Sequence, residues 1–151
     1  MLHLLIQTCA AAMATIGFSL LFGVPARYYP SCALIGGVSW LAYLLLLPYS
    51  SVSIATFAAT VIVILMSRWF AVRKRCPVTI FLISGIIPLV PGATLYYAMS
   101  AVVQQDWAQA QFHGYRVTAF VLGIAAGVSL TLSLFEMLLH AVRHAHAKKQ
   151  R

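Results

Sequence analysis

Apolar residues dominate this chain in long runs, broken by short stretches that gather proline, serine, glutamine or charge. The first run extends from Leu2 to Val24, rich in alanine, with Gln7, Thr8, Thr15 and Ser19 inside it and Gly17 and Gly23 allowing close helix contact. No Lys or Arg precedes the apolar stretch that starts at Leu4, so the run reads as a span and not as a cleavable signal. Pro25-Ala26-Arg27-Tyr28-Tyr29-Pro30 ends it with prolines, one cation and interfacial tyrosines. No charge then appears for the forty residues from Tyr28 to Ser67. About 20 apolar residues suffice for one crossing, so this stretch holds two, divided by the turn residues Pro48-Tyr49-Ser50-Ser51. The pattern predicts membrane helices over about 2–24, 31–47, 52–67, 78–103 and 116–139, with a basic tail at 140–151. The fold class expected is all-α integral membrane, one membrane domain of five transmembrane helices.

The fourth segment is unlike the rest. Cys76 to Gln105 is uncharged for thirty residues, yet its centre reads Ile86-Ile87-Pro88-Leu89-Val90-Pro91-Gly92-Ala93-Thr94. Each proline removes one backbone N–H and presses its ring against the carbonyl four residues back. In hydrocarbon the freed carbonyls cannot turn to water, so such a break persists only beside protein or a wet cavity. The segment is therefore expected to be a helix broken at Pro88–Gly92, with a fresh start at about Ala93. Discontinuous helices near mid-membrane are where secondary transporters hold substrate; the same break also reads as a structural kink. A helix start there points unbonded amides and a partial positive charge inward, which favours a carboxylate. Ser84, Thr94, Tyr96, Tyr97 and Ser100 add hydroxyls, and Thr94 and Tyr97, three apart, share a face. Pro88, Pro91, Gly92, Thr94 and Tyr97 are thus expected on the path of a small carboxylate-bearing substrate.

Composition agrees with a membrane unit. Of 151 residues 62% are hydrophobic and 8% charged, against about 25% charged in soluble proteins. The net charge of +8 does not imply nucleic acid, because the cations flank apolar runs instead of forming a patch interleaved with aromatics. They act as topology signals. With five spans, one side receives Arg27, Arg68, Arg73, Lys74, Arg75, Arg143, Lys148, Lys149 and Arg151, and the other only Arg116. That bias places the N-terminus outside and the C-terminus in the cytoplasm. Were the broken segment to dip in and return, the tail would lie opposite the 68–75 cluster and the bias would collapse.

Little else carries chemistry. Asp106 lies in the polar connector from Gln104 to Tyr115 and reads as solvated. Glu136, about one turn inside the end of the fifth span, is either a helix-end acid paired with His140 or a coupling acid that handles protons. His140, His144 and His146 lack an acid or cysteine beside them, so no metal is expected, and the basic tail suits anionic membrane lipid. His3 and His113 read as isolated and interfacial, and Cys9, Cys32 and Cys76 as free thiols. Arg68 with Trp69 would anchor the third helix at the headgroups, or Arg68 would face inward and meet an anionic ligand. Gly123 and Gly127 form a GxxxG pattern that lets another helix approach closely. No nucleophile–base pair, phosphate loop or metal-ligand spacing is present, so neither an enzyme nor a cofactor is expected.

Two blocks, Ser67-Arg68-Trp69 and Ile87-Pro88-Leu89-Val90-Pro91-Gly92-Ala93-Thr94-Leu95-Tyr96-Tyr97-Ala98-Met99, together with Val24-Pro25-Ala26-Arg27 and Cys32-Ala33-Leu34-Ile35-Gly36, resemble the small subunit of the bacterial threonine/serine exporter family. The resemblance runs from about Gly23 to Met99. It implies inner-membrane export of threonine and serine, or of dicarboxylates such as succinate. It further implies that this five-span unit, similar to the C-terminal half of longer exporters, works with a larger membrane subunit. Arg68, Pro88, Pro91 and Gly92 carry over as motif positions. The rival expectation is a non-transporting membrane scaffold, whose kink and GxxxG serve only assembly with another protein.

Overall fold

In the computed structural model, residues 2–149 are described, with side chains through Phe135 and at Met137, and the chain is helical without strands among them. Helix α1 spans Leu2–Leu21, α2 Tyr29–Leu46, α3 Val52–Lys74, α4 Thr79–Ile86, α5 Gly92–Val103 and α6 Trp107–Lys149. A 3-10 turn at Ala26–Tyr28 leads into α2, and another at Ile87–Leu89 follows α4. Four helices, α1, α2, α3 and α6, are long and apolar enough to cross a membrane. The pair α4 and α5, bent by 45° at the proline break, makes a fifth crossing when counted as one span.

The helix ends show how backbone groups are satisfied where the chain turns. After α1, α3 and α5 the residues Gly23, Arg75 and Gln105 adopt left-handed conformations, with φ of 67°, 51° and 60°. The next amide in each case reaches back five residues: Val24 to the Ser19 carbonyl, Cys76 to Ala71, and Asp106 to Ala101, at 2.9, 3.1 and 2.9 Å. These are Schellman closures, which quench carbonyls that a helix end leaves open. Proline follows two of them, at Pro25 and Pro77, and prevents the helix from resuming at once. Ser51 caps α3, its hydroxyl accepting the Ile54 N–H.

Two expected boundaries need correction. The sequence pattern predicts the third span over 52–67, with a basic loop after it. Instead α3 continues to Lys74, so Arg68, Trp69, Arg73 and Lys74 stand on a helix. Nothing in Met66–Lys74 breaks a helix, and Pro77 is the first residue that does. The pattern predicts the fifth span over 116–139, yet α6 begins at Trp107. Asp106 is its cap: the carboxylate Oδ1 accepts the Gln109 N–H at 3.1 Å, and the Asp106 carbonyl accepts from Ala110 at 3.0 Å. The polar connector therefore shrinks to Gln104–Asp106, and Arg116 lies about two and a half turns inside the helix.

The packing is inverted relative to a soluble protein. Large apolar side chains such as Leu5, Met13, Leu21, Leu65, Leu122, Leu130 and Leu134 are exposed, while Thr15, Ser19, Ser39, Thr56, Thr60, Ser67 and Ser84 are fully buried. The buried hydroxyls of Thr15, Ser19, Thr56, Thr60 and Ser84 each donate to the carbonyl four residues back, and that of Ser39 three back. Small residues then bring backbones together, as membrane helices require when hydrocarbon surrounds them. An aromatic and aliphatic core of Tyr28, Ile35, Val63, Phe70, Phe81 and Leu89 joins α2, α3 and α4. Within it the Phe81 ring meets Tyr28 edge-on at 5.6 Å and Phe70 at 5.9 Å.

The GxxxG pattern is used within the chain. A methyl on Gly123 would lie 2.6 Å from the Ser53 carbonyl oxygen, and one on Gly127 2.8 Å from Thr60 Cβ. Both glycines face α3, so this seam holds the fold and is not free to dock another protein. Gly127→Val should therefore force α6 away from α3 at a cost of about 1–3 kcal/mol, seen as a lower thermal midpoint in detergent. Gly17→Ala, whose methyl meets nothing within 4 Å, should leave the midpoint unchanged. An unshifted midpoint for Gly127→Val would mean that the two helices are not in contact there.

Candidate functional site

The break is assembled from its sequence as follows. Pro88 and Pro91 have no N–H to offer, so the carbonyls of Ser84 and Ile87 lose their helical donors. The Ile87 carbonyl is taken by the Val90 amide at 3.0 Å, which tightens the chain into a 3-10 turn. Val90 then becomes extended, with ψ 125°, and the Gly92 amide bonds the Val90 carbonyl at 2.8 Å. The Leu95 amide bonds Pro91 at 2.9 Å. Between these, the amides of Ala93 and Thr94 find no backbone acceptor, and no side chain caps the start of α5. The interrupted helix and its fresh start, expected at about Ala93, are present with the start at Gly92.

The two sides of the break differ. On the inner side Leu89 is buried, and Pro88 lines a shallow cavity of about 310 Å³ with Gln7, Ala10, Ala11, Ala14 and Trp40. On the outer side Val90, Gly92 and Ala93 are exposed. A Cβ on Gly92 would meet nothing within 4 Å, so among the described residues no close approach explains the glycine. Thr94 is half-buried in the first turn of α5.

The remaining expected residues separate into other places. Tyr97 and Ala101 line a pocket of about 190 Å³ with Ser100, Gln104, Asp106, Gln109 and His113, at the end of α5 where the chain turns into α6. There the Tyr97 ring lies 5.6 Å from His113, whose Nδ1 is buried without a hydrogen-bond partner. Tyr97 thus belongs to a polar pocket away from Pro88, and Thr94 is not among its walls. Arg68 is elsewhere again. Its guanidinium lies 3.6 Å above the Phe135 ring of α6, and its Nε is buried without a partner. Glu136 stands on α6, but its side chain lies outside the described residues, as do those of His140, His144 and His146.

Sequence reading missed Gln7 beside Pro88, and missed His113 and Asp106 as companions of Tyr97. Gln7 carried a signal, being a lone amide within an apolar run. Asp106 carried another, since an acid three residues before Gln109 marks a helix start. His113 carried none.

A bundle of apolar helices with one interrupted span defines a multi-pass integral membrane protein built around a discontinuous helix. Within that class the chain belongs to the threonine/serine exporter family (Threonine/Serine exporter, ThrE), which matches residues 7–134. The match extends past Met99 to include Gly123 and Gly127, and stops short of Glu136. The chain is also 31% identical over 144 residues to an uncharacterized protein of Haemophilus influenzae, covering 89% of this chain and 48% of that protein. It therefore spans about half the length of that relative. No solved structure matches.

The open face of the break is tested by its access to water. On a background with Cys9, Cys32 and Cys76 replaced by serine, Gly92→Cys should react with a small water-soluble thiosulfonate in intact membranes at least tenfold faster than Leu122→Cys. Leu122 is exposed on α6 where only lipid is expected. Equal, slow labelling of both would place the break in hydrocarbon.

Proposed function

We propose that this chain is one half of a bacterial inner-membrane exporter of small amino or organic acids, threonine and serine or a dicarboxylate such as succinate, acting with a larger membrane subunit. The observation that carries the reading is the start of α5, where two unbonded amides lie at an exposed break inside an apolar span. A helix N-terminus of this kind attracts a carboxylate through its free donors and partial charge. Family membership supports export, and the half-length match to the relative supports a separate companion.

In this reading Pro88, Pro91, Gly92 and Thr94 form the substrate path, and the open face of Gly92 and Ala93 is where substrate or companion approaches. The chain crosses five times, N-terminus outside, as the nine-to-one distribution of cations favours. The pocket of Tyr97, Asp106 and His113 then opens on the outer side, and Arg68 and Arg75 lie on the cytoplasmic side. The scaffold reading loses one of its two supports, because Gly123 and Gly127 are occupied by α3.

Efflux of labelled threonine, serine and succinate from cells carrying this chain, with and without its companion, tests the proposal. Efflux of at least one should require both proteins. Pro91→Ala with Gly92→Ala should restore a continuous helix and lower that efflux at least tenfold while leaving insertion intact. Undiminished efflux by the correctly inserted double variant would reject the carboxylate site, and no efflux with both proteins would reject the export reading. A C-terminal reporter should be active only in the cytoplasm; activity only in the periplasm would reverse the orientation.

A further inference from the structure

The geometry points to a binding site for one acidic phospholipid in the crease between α3 and α6, with its phosphate on Arg68 and Arg75 and an acyl chain along the apolar groove beside them. Two cavities meet there. The first, about 630 Å³, is lined by Arg68, Ala71, Arg75, Cys76, Pro77 and Phe135 at the end of α3. The second, about 480 Å³, is walled by Phe57, Val61, Leu65, Leu130, Leu134 and Phe135, and reaches Arg68. Arg68 and Phe135 belong to both, so a charged mouth continues directly into a greasy channel.

Arg68 is built to hold an anion. Its guanidinium carbon lies 3.6 Å from the centre of the Phe135 ring, a cation–π contact that holds the group at the mouth, where its N–H groups can donate to an anion. Its Nε is buried with no hydrogen-bond partner, a condition that costs free energy until an acceptor arrives. Arg75 stands on the other wall of the mouth, held there by the left-handed turn that closes α3. Among the described residues no acidic side chain lines either cavity. The neighbouring cations are turned elsewhere: Arg73 lies over Trp69 at 5.2 Å and the Lys74 ammonium over Tyr28 at 5.6 Å. The mouth therefore contains two selected arginines from a cluster of four.

Charge and shape together select the occupant. A carboxylate metabolite would satisfy the arginines but leave the groove of Phe57, Val61, Leu65, Leu130 and Leu134 empty. A zwitterionic lipid would fill the groove but bring an ammonium to the mouth. A phosphate monoanion carrying acyl chains meets both demands, and basic pockets between membrane helices take such headgroups.

The test is native mass spectrometry of the full chain purified in detergent, mixed with equal amounts of dioleoyl phosphatidylglycerol and dioleoyl phosphatidylcholine. One phosphatidylglycerol should be retained preferentially, and Arg68→Gln and Arg75→Gln should each weaken that preference about fivefold. The pair Arg73→Gln with Lys74→Gln should leave most of it. Glycerol phosphate at the same concentration should not displace the lipid, since it lacks the chains that the groove holds. Equal retention of the two lipids, as expected if a helix of another protein fills the groove, would overturn the proposal. So would a loss in the Arg73/Lys74 variant as large as in the Arg68 and Arg75 variants. Should Arg68→Gln fail to fold, the exposed Arg75→Gln still decides the matter.

Discussion

The close approach of α6 to α3 is the contact on which the rest of the arrangement depends. Two glycines one turn apart let the α6 backbone lie against Ser53, Phe57 and Thr60, at separations where even a methyl group would collide. Apolar surface alone cannot hold these helices together, because lipid solvates leucine as well as protein does. Contact at backbone distance is what remains, and it aligns Phe135 over Arg68 further along the same seam. The α1–α2 seam repeats the device, with Gly36 and Gly37 set against Thr15, Ala12 and Thr8.

Against this packed frame the α4–α5 element stands out as the one span whose backbone is not self-sufficient. Its prolines leave amides and carbonyls that a continuous helix would have paired, and its glycine faces space that none of the described residues occupies. The 3-10 turn packs against α1, α2 and α3, so the break is protected on one side and open on the other. On that open side the amides of Ala93 and Thr94 have no backbone acceptor.

The spans and the break were readable from sequence because they rest on local chemistry. Proline lacks an N–H whatever surrounds it, and forty uncharged residues cannot be a loop. The exact ends of α3 and α5 were not readable, whereas Asp106 does mark the start of α6. Arg75 and Gln105 take left-handed positions that glycine usually marks, so the Schellman turns left no sign in the sequence. The grouping of site residues was also hidden. Thr94 and Tyr97 share a helix face, yet Tyr97 goes with His113 and Asp106 because α5 folds back on α6. Arg68 lies over Phe135, a residue far along the chain, and that contact comes from the tertiary fold and not from sequence spacing.

The buried hydroxyls have a further consequence. Thr15, Ser19, Ser39, Thr56, Thr60 and Ser84 each donate to a carbonyl of their own helix. Their polarity is satisfied within each helix. A small lengthwise slip between neighbours would rupture none of these bonds, so what resists sliding is the steric interlock of the glycine seams and not a set of polar ties.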